Sequence, residues 1–170
     1  MTSILKVSEI EDPTNSNTAL TIDATGNVNI PGHVVQVAYA QDLAVTVAQV
    51  TSSTTFIDIT GMSVTITPLF STSKLLVFAR LHTWVSGGTS PYMVTTLARD
   101  GVNMSSSSYS QGYTQGDIYV GNPISMTAFA NANSTTATTF KAQMRLGGGG
   151  ASSCQTDNAD KVLYVMEIAQ

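Results

Sequence analysis

The chain has 170 residues and a formal net charge of −4, and only 11% of its residues are charged, well under the usual fraction of about 25%. Its seven Lys and Arg are scattered, which argues against nucleic-acid binding by phosphate neutralisation, since that needs clustered basic side chains. The single cysteine, Cys154, excludes an internal disulfide and any multi-thiolate zinc site.

Ser and Thr supply 43 of the 170 residues, yet 42% of the chain is hydrophobic, so it is built to fold rather than to remain disordered. A domain of this length buries roughly 70% of its unfolded surface and needs no disulfide or metal. Apolar runs such as Leu75–Ala79 fall far short of the ~20 residues of a membrane helix. Met1–Ile10 carries Lys6 and Glu9 and no apolar h-region, so no secretory signal is expected and synthesis in a cytoplasm is.

Period-two alternation recurs along the chain, Val and Thr abound, and only three Glu and four Lys favour helix. Strands are expected at Ile4–Ile10, Ala19–Ile22, Val28–Ile30, Val34–Tyr39, Val45–Val50, Thr55–Ile59 and Ser63–Thr67. They continue at Lys74–Trp84, Tyr92–Arg99, Ile118–Val120, Ser125–Ala130, Thr138–Leu146 and Lys161–Ile168. Asp23-Ala24-Thr25-Gly26-Asn27 joins two short alternating runs into a small hairpin. Thr67-Pro68 stops a strand, and Asp100-Gly101 is the pair favoured in tight hairpins whose central residues take positive φ. Ser86–Pro91, Ser105–Gly116 and Gly147–Asp160 read as loops.

A break falls at Pro31-Gly32. Residues 1–32 form a short arm for attachment or oligomerisation, and residues 33–170 form a β-sandwich or jelly-roll head. The arm has too few apolar side chains to offset its own ordering, so it is expected to be held by copies of itself, by the head or by a larger assembly. In Lys161–Ile168, Leu163 and Val165 share one face while Val162, Tyr164, Met166 and Ile168 share the other. Lys74–Trp84 is doubly apolar too. That exceeds what one small core requires, and oligomerisation is the economical explanation.

The search for chemistry is mostly negative. His33 and His82 are far apart in sequence and neither has a partner at ligand spacing, so each reads as a packed or strand-end histidine. No Gly-x-Ser-x-Gly elbow is present. Cys154 lies among Gly and Ser with no nearby cation to lower its pKa. Most of the eleven carboxylates fall at expected turns, where Asp serves backbone geometry. Asp157 and Asp160 with Asn158 offer a cation cluster whose plainer reading is a solvated loop. Gly147–Gly150 lacks the Lys-Ser/Thr and helix of a phosphate cradle. No catalytic residue, metal ligand or cofactor is expected. One loop does suit a contact surface. Tyr109, Gln111, Tyr113 and Gln115 are set among Ser and Gly, where tyrosine offers a flat apolar face and a hydroxyl at low entropic cost. Trp84 with Tyr92 is a weaker version of the same idea.

Ser3-Ile4-Leu5-Lys6-Val7-Ser8-Glu9-Ile10, Leu20–Val28 and Ile30–Val37 resemble the start of small bacteriophage virion proteins, especially fibre-like proteins of marine phages. Asp58–Pro68 leading to Ser73–Val77, then Leu97–Val102 and Met166-Glu167-Ile168, are similar too. The resemblance spans nearly the whole chain and rests on punctuation between β-strands. It implies a homotrimer with a head like the complement/tumour-necrosis-factor domains, an arm attached to the particle, a place in the virion and no shared catalytic residues.

The expected function is therefore a virion structural protein, not an enzyme: a trimeric fibre or tip docked through Ile4, Leu5, Val7, Ile10, Leu20 and Ile22. The three loops named above would meet a host-surface glycan or protein by repeated weak contacts. The alternative is a capsid decoration or head fibre. A glycan-degrading enzyme would require two facing carboxylates, and a free lectin gives no reason for the arm.

Overall fold

In a computed structural model, the structure describes residues 6–11, 14, 18–42, 48–87, 92–104, 108–111, 120–148, 153–156 and 161–170. Among them the regular structure is all β. The arm holds β1 (Glu9–Glu11), β2 (Thr18–Ile22) and β3 (Val28–Asn29). The head follows with β4 (Val34–Asp42), β5 (Gln49–Thr51), β6 (Ile57–Ile66), β7 (Lys74–Ser86), β8 (Tyr92–Arg99) and β9 (Val102–Asn103). It closes with β10 (Ser108–Gln111), β11 (Val120–Asn131), β12 (Thr138–Gly148), β13 (Ser153–Thr156) and β14 (Lys161–Ile168).

All strand pairs are antiparallel, and the head is a jelly roll of two packed sheets. β11 takes one edge of β7 along residues 74–85, so β14 (opposite 74–80) and β13 (opposite 83–86) must share the other edge. They are two pieces of one strand line interrupted after Thr156. β4 and β5 pair with them in turn and form a second interrupted line. The described parts of both lines end and resume at the same level, between the Lys161–Asp42 pair and the Thr156–Gln49 pair. The first sheet is thus β4/β5–β14/β13–β7–β11. β9 and β10 likewise share the edge of β8 that β12 leaves open, so the second sheet is β6–β12–β8–β9/β10.

Alternation assigns the faces. Leu75, Val77, Ala79 and Leu81 of β7 meet Leu163 and Val165 of β14 on the inner side of the first sheet. Met93 and Leu97 of β8, Met62 and Val64 of β6, and Phe140, Ala142 and Met144 of β12 fill the core from the second sheet. These side chains are essentially inaccessible, and their removal from water is the main stabilisation of the head.

One buried carboxylate sits in this frame. Glu167 is 0% exposed. It accepts hydrogen bonds from Gln36 Nε2 (2.6 Å), Leu69 N (2.9 Å) and Phe70 N (3.0 Å). Gln36 Nε2 also donates to Thr67 O at 2.7 Å. Glu167 therefore joins the C-terminal strand to β4 and to the chain that crosses from one sheet to the other after β6. A buried carboxyl is tolerated when its oxygens are hydrogen-bonded this fully.

The turns follow their chemistry. Asp100 (φ 48°) and Gly101 (φ 82°) both take the left-handed conformation expected for Asp-Gly in a two-residue hairpin. The Asp100 carboxylate accepts from Thr138 Oγ1 (2.6 Å) and Thr139 N (2.8 Å). Arg99 reaches the Asn131 and Ala132 carbonyls, pinning the turn between β11 and β12.

The strand expectations need five corrections. Of the expected strand Ile4–Ile10, Lys6, Val7 and Ser8 lie outside any strand and β1 begins at Glu9, while Ile4 and Leu5 lie outside the described residues. Thr55–Ile59 and Ser63–Thr67 are one strand, β6, carried through a bulge where Gly61 takes φ 79°. Ser125–Ala130 belongs to the longer β11, which runs through Pro123. The stretch Ser105–Gly116 is not all loop, because Ser108–Gln111 pairs with β8. Gly147–Asp160 likewise contains β13. Short Ser-rich segments without apolar alternation give no strand signal of their own and are recruited by an open edge. Of the expected strand Val45–Val50, only Ala48–Val50 lie within the described residues, and β5 begins at Gln49.

Candidate functional site

The head is bipolar. β4 begins, and β7 begins, at the end where β11, β14 and β6 finish. The arm enters here: Gly32 N donates to Ala169 O (2.8 Å) and Ala169 N to His33 O (2.9 Å). The C-terminal ends of β7, β10 and β12 and the N-terminal ends of β8, β11 and β13 gather at the opposite end. Of the stretches expected to meet a host surface, Ser86, Gln111 and Gly148 mark the described ends at the pole farthest from the arm, whereas Thr156, at the end of β13, lies partway along the ladder. Tyr109 and Gln111 stand in β10, opposite Val94 and Tyr92. Tyr113 and Gln115 lie outside the described residues.

Two aromatic rings at that distal pole lie on glycine. A Cβ placed on Gly121 would come within 2.8 Å of the Trp84 indole, and one on Gly147 within 2.1 Å of the Tyr92 ring. Trp84 and Tyr92 do not form a joint surface. Trp84 is on the outer side of the first sheet beside His82, ring centroids 5.8 Å apart, whereas Tyr92 alternates with the core residue Met93 and stands outside the second sheet.

The outer faces of the two sheets differ in kind. On the second sheet, Lys141, Gln143 and Arg145 lie across from Ala98, Thr96 and Val94. The long polar side chains shield these small neighbours, and Ala98, Thr96 and Val94 are buried. Asp58 accepts from Lys141 Nζ (2.5 Å) and Gln143 Nε2 (2.7 Å), and Thr65 and Thr139 share a hydrogen bond. This face is finished with polar groups.

The outer face of the first sheet is not. Register places Val37, Met166, Leu76 and Phe129 in one row across four strands, and Tyr39, Tyr164, Phe78 and Thr127 in the next. Tyr164 contacts both Tyr39 (centroids 6.0 Å) and Phe78 (6.5 Å). Tyr39 is 65% exposed, Phe129 68% and Val37 51%. Arg80 and Gln41 bound the band on the distal side, and Lys74 with Asn131 on the proximal side. Beside Phe129 and Lys74, a depression of about 450 Å³ is lined by Ala130 and Asn131.

The arm presents a second unfinished face. Ile10 opposes Leu20, and Ile22 opposes Val28, so these four share one side of the three-stranded sheet. Glu9, Thr21 and Asn29 share the other. None of the apolar four is buried; Ile10 is 46% and Val28 42% exposed. Val7, also expected in docking, is 40% exposed. Ile4 and Leu5 lie outside the described residues.

Four titratable groups among the described residues have displaced pKa values. Cys154 is buried in the core, and burial pushes its thiol up to about 11, so it stays a protonated thiol at neutral pH. Among the described residues, the three carboxylates whose pKa moves all move down. Asp23 falls to about 2 through hydrogen bonds from the Thr25 hydroxyl and the Asn27 amide. Asp58 is lowered by Gln143 and Lys141, and Asp100 by Thr138 and Thr139. Among the described residues, no group of three or more His, Cys, Asp or Glu could hold a metal ion.

No protein-family model and no curated protein matches the chain. Solved structures with a similar course include Eiger TNF from S. frugiperda, at 8% identity and TM-score 0.41, covering 81% of this chain and 95% of that one. The insecticidal delta-endotoxin Cry8Ea1 from Bacillus thuringiensis follows, at 9% identity and TM-score 0.40, covering 89% of this chain and 29% of that one. Latent PorU from Porphyromonas gingivalis matches at 8% identity and TM-score 0.37, covering 78% of this chain and 13% of that one. Likenesses this distant carry no argument about function.

Proposed function

We propose that the chain is a bacteriophage virion structural protein: a homotrimeric fibre or tip, docked through its arm and presenting distal loops to a host surface. One observation carries the reading. The arm joins the head at one pole, the Ser-, Gly- and Tyr-rich connections spring from the other, and an unfinished apolar face runs between them. Self-association covers that face, and parallel copies then present their loops together, so that weak contacts add through effective concentration.

Deleting residues 1–31 tests the docking arm. In phage particles carrying the shortened chain, the protein is expected to be absent, and the component that loses it identifies a tail or capsid position. Normal incorporation of the shortened protein would show that the arm does not dock. Incubation of the full chain with host polysaccharide is expected to yield binding without new reducing ends.

A further inference from the structure

The arm is a three-stranded sheet with no core. Its apolar side carries Ile10, Leu20, Ile22 and Val28. Its polar side carries the contact to the head: Asn29, on that side, donates from Nδ2 to Gln170 O at 3.4 Å. The apolar side is thus left without cover from the described part of its own chain. A sheet this small does not hold its shape in water with that face wet.

We propose that the occupant of this face is the same face of further copies, so that the arms fold into a core that exists only between chains. The proposal rests on the homo-oligomeric reading above and names the surface and its partner. Two arguments favour a second copy. First, Glu9 lies on the opposite side, so like faces meet without stripping water from that carboxylate. Second, the face is small. Three strands and about five residues span roughly 10 by 17 Å, far below the ~800 Å² per partner of a stable interface. It therefore needs a second, linked contact, and another copy brings one in the apolar band of its first sheet. Association of the heads raises the effective concentration of the arms. Folding of the arm is then coupled to assembly, and a lone chain carries no ordered docking element.

The test uses the full chain. Amide exchange at Ile10, Leu20–Ile22 and Val28 is followed on dilution, beside the mass from light scattering. Arm protection is expected to fall by about tenfold or more as the mass falls to that of one chain, while protection of β7 and β12 persists. In L20S/I22S, arm protection is expected to be lost at every concentration, with the melting of the head unchanged. Protection that survives dilution to single chains would overturn the inference, because the arm would then be covered by its own body. An arm unprotected in the oligomer, and protected only when phage particles are added, would also overturn it while leaving the virion reading intact. A chain that is single at every concentration would remove both.

Discussion

At the scale of single residues, the telling positions are polar groups that serve geometry. Glu167 brings a carboxyl group into the core region, where it faces three neutral donors. Truncation in Glu167→Ala leaves the Leu69 and Phe70 amides without their acceptor, each a half-buried polar group missing its bond. The expected cost is on the order of 3 kcal/mol, read as a lower denaturant midpoint with an unchanged slope. Asp23 works in the open. Its carboxyl accepts from the Thr25 and Asn27 amides at 2.9 Å each and from the Thr25 hydroxyl at 2.7 Å. A carboxyl held at about 2 in the folded turn, against an ordinary 3.8, contributes stability that is complete above the ordinary value. That stability is lost as pH falls through about 2. Amide exchange at Asn27, corrected for its intrinsic rate, is expected to be flat from pH 7 to 5 and to quicken below about 4.

At the scale of elements, interruption is the recurring device. β4/β5, β13/β14 and β9/β10 are each one line in the sheet broken into two pieces, and β6 and β12 pair through bulges. At the distal end of β12 the break makes room for a ring. The register between β12 and β8 slips between Leu146 and Gly148, and Tyr92 lies over the glycine so displaced. Gly147→Ala has no accommodation short of moving that ring. It is expected to cost roughly 1–3 kcal/mol as an overpacked contact, lowering the melting temperature. Tyr92→Ala in the same background should recover part of the loss, and a double-mutant cycle measures the coupling.

At the scale of the whole molecule, the asymmetry of the two outer faces decides what the head can do. One face is covered by Lys141, Gln143, Arg145 and Asp58. The other offers an aromatic row and Phe129 to water. A charge at Phe129, on the edge strand of that apolar face, is expected to prevent self-association without touching the core. Phe129→Asp should reduce the mass in light scattering to that of one chain while the melting of the head changes little. An unchanged mass would place the interface elsewhere. Lys141→Ala, on the finished face, serves as the control and should leave the assembly alone.

The class of the fold, the Asp23–Asn27 and Asp100-Gly101 turns and the doubly apolar character of Lys74–Trp84 and Lys161–Ile168 were legible in the residues alone. These are local: alternation, turn chemistry and glycine's tolerance of positive φ act over a few neighbouring residues. What joins distant residues was decided only by tertiary structure. Gln36, Leu69 and Phe70 converge on Glu167 from parts of the chain about 100 or more residues away, and no spacing rule reports that. The same holds for Ser108–Gln111 and Ser153–Thr156, which become strands because β8 and β7 present open edges, and for Trp84 and Tyr92, close in sequence yet turned to opposite faces. Periodicity shows that a strand has two apolar sides. Only the packing of sheet on sheet selects which side becomes core and which stays exposed.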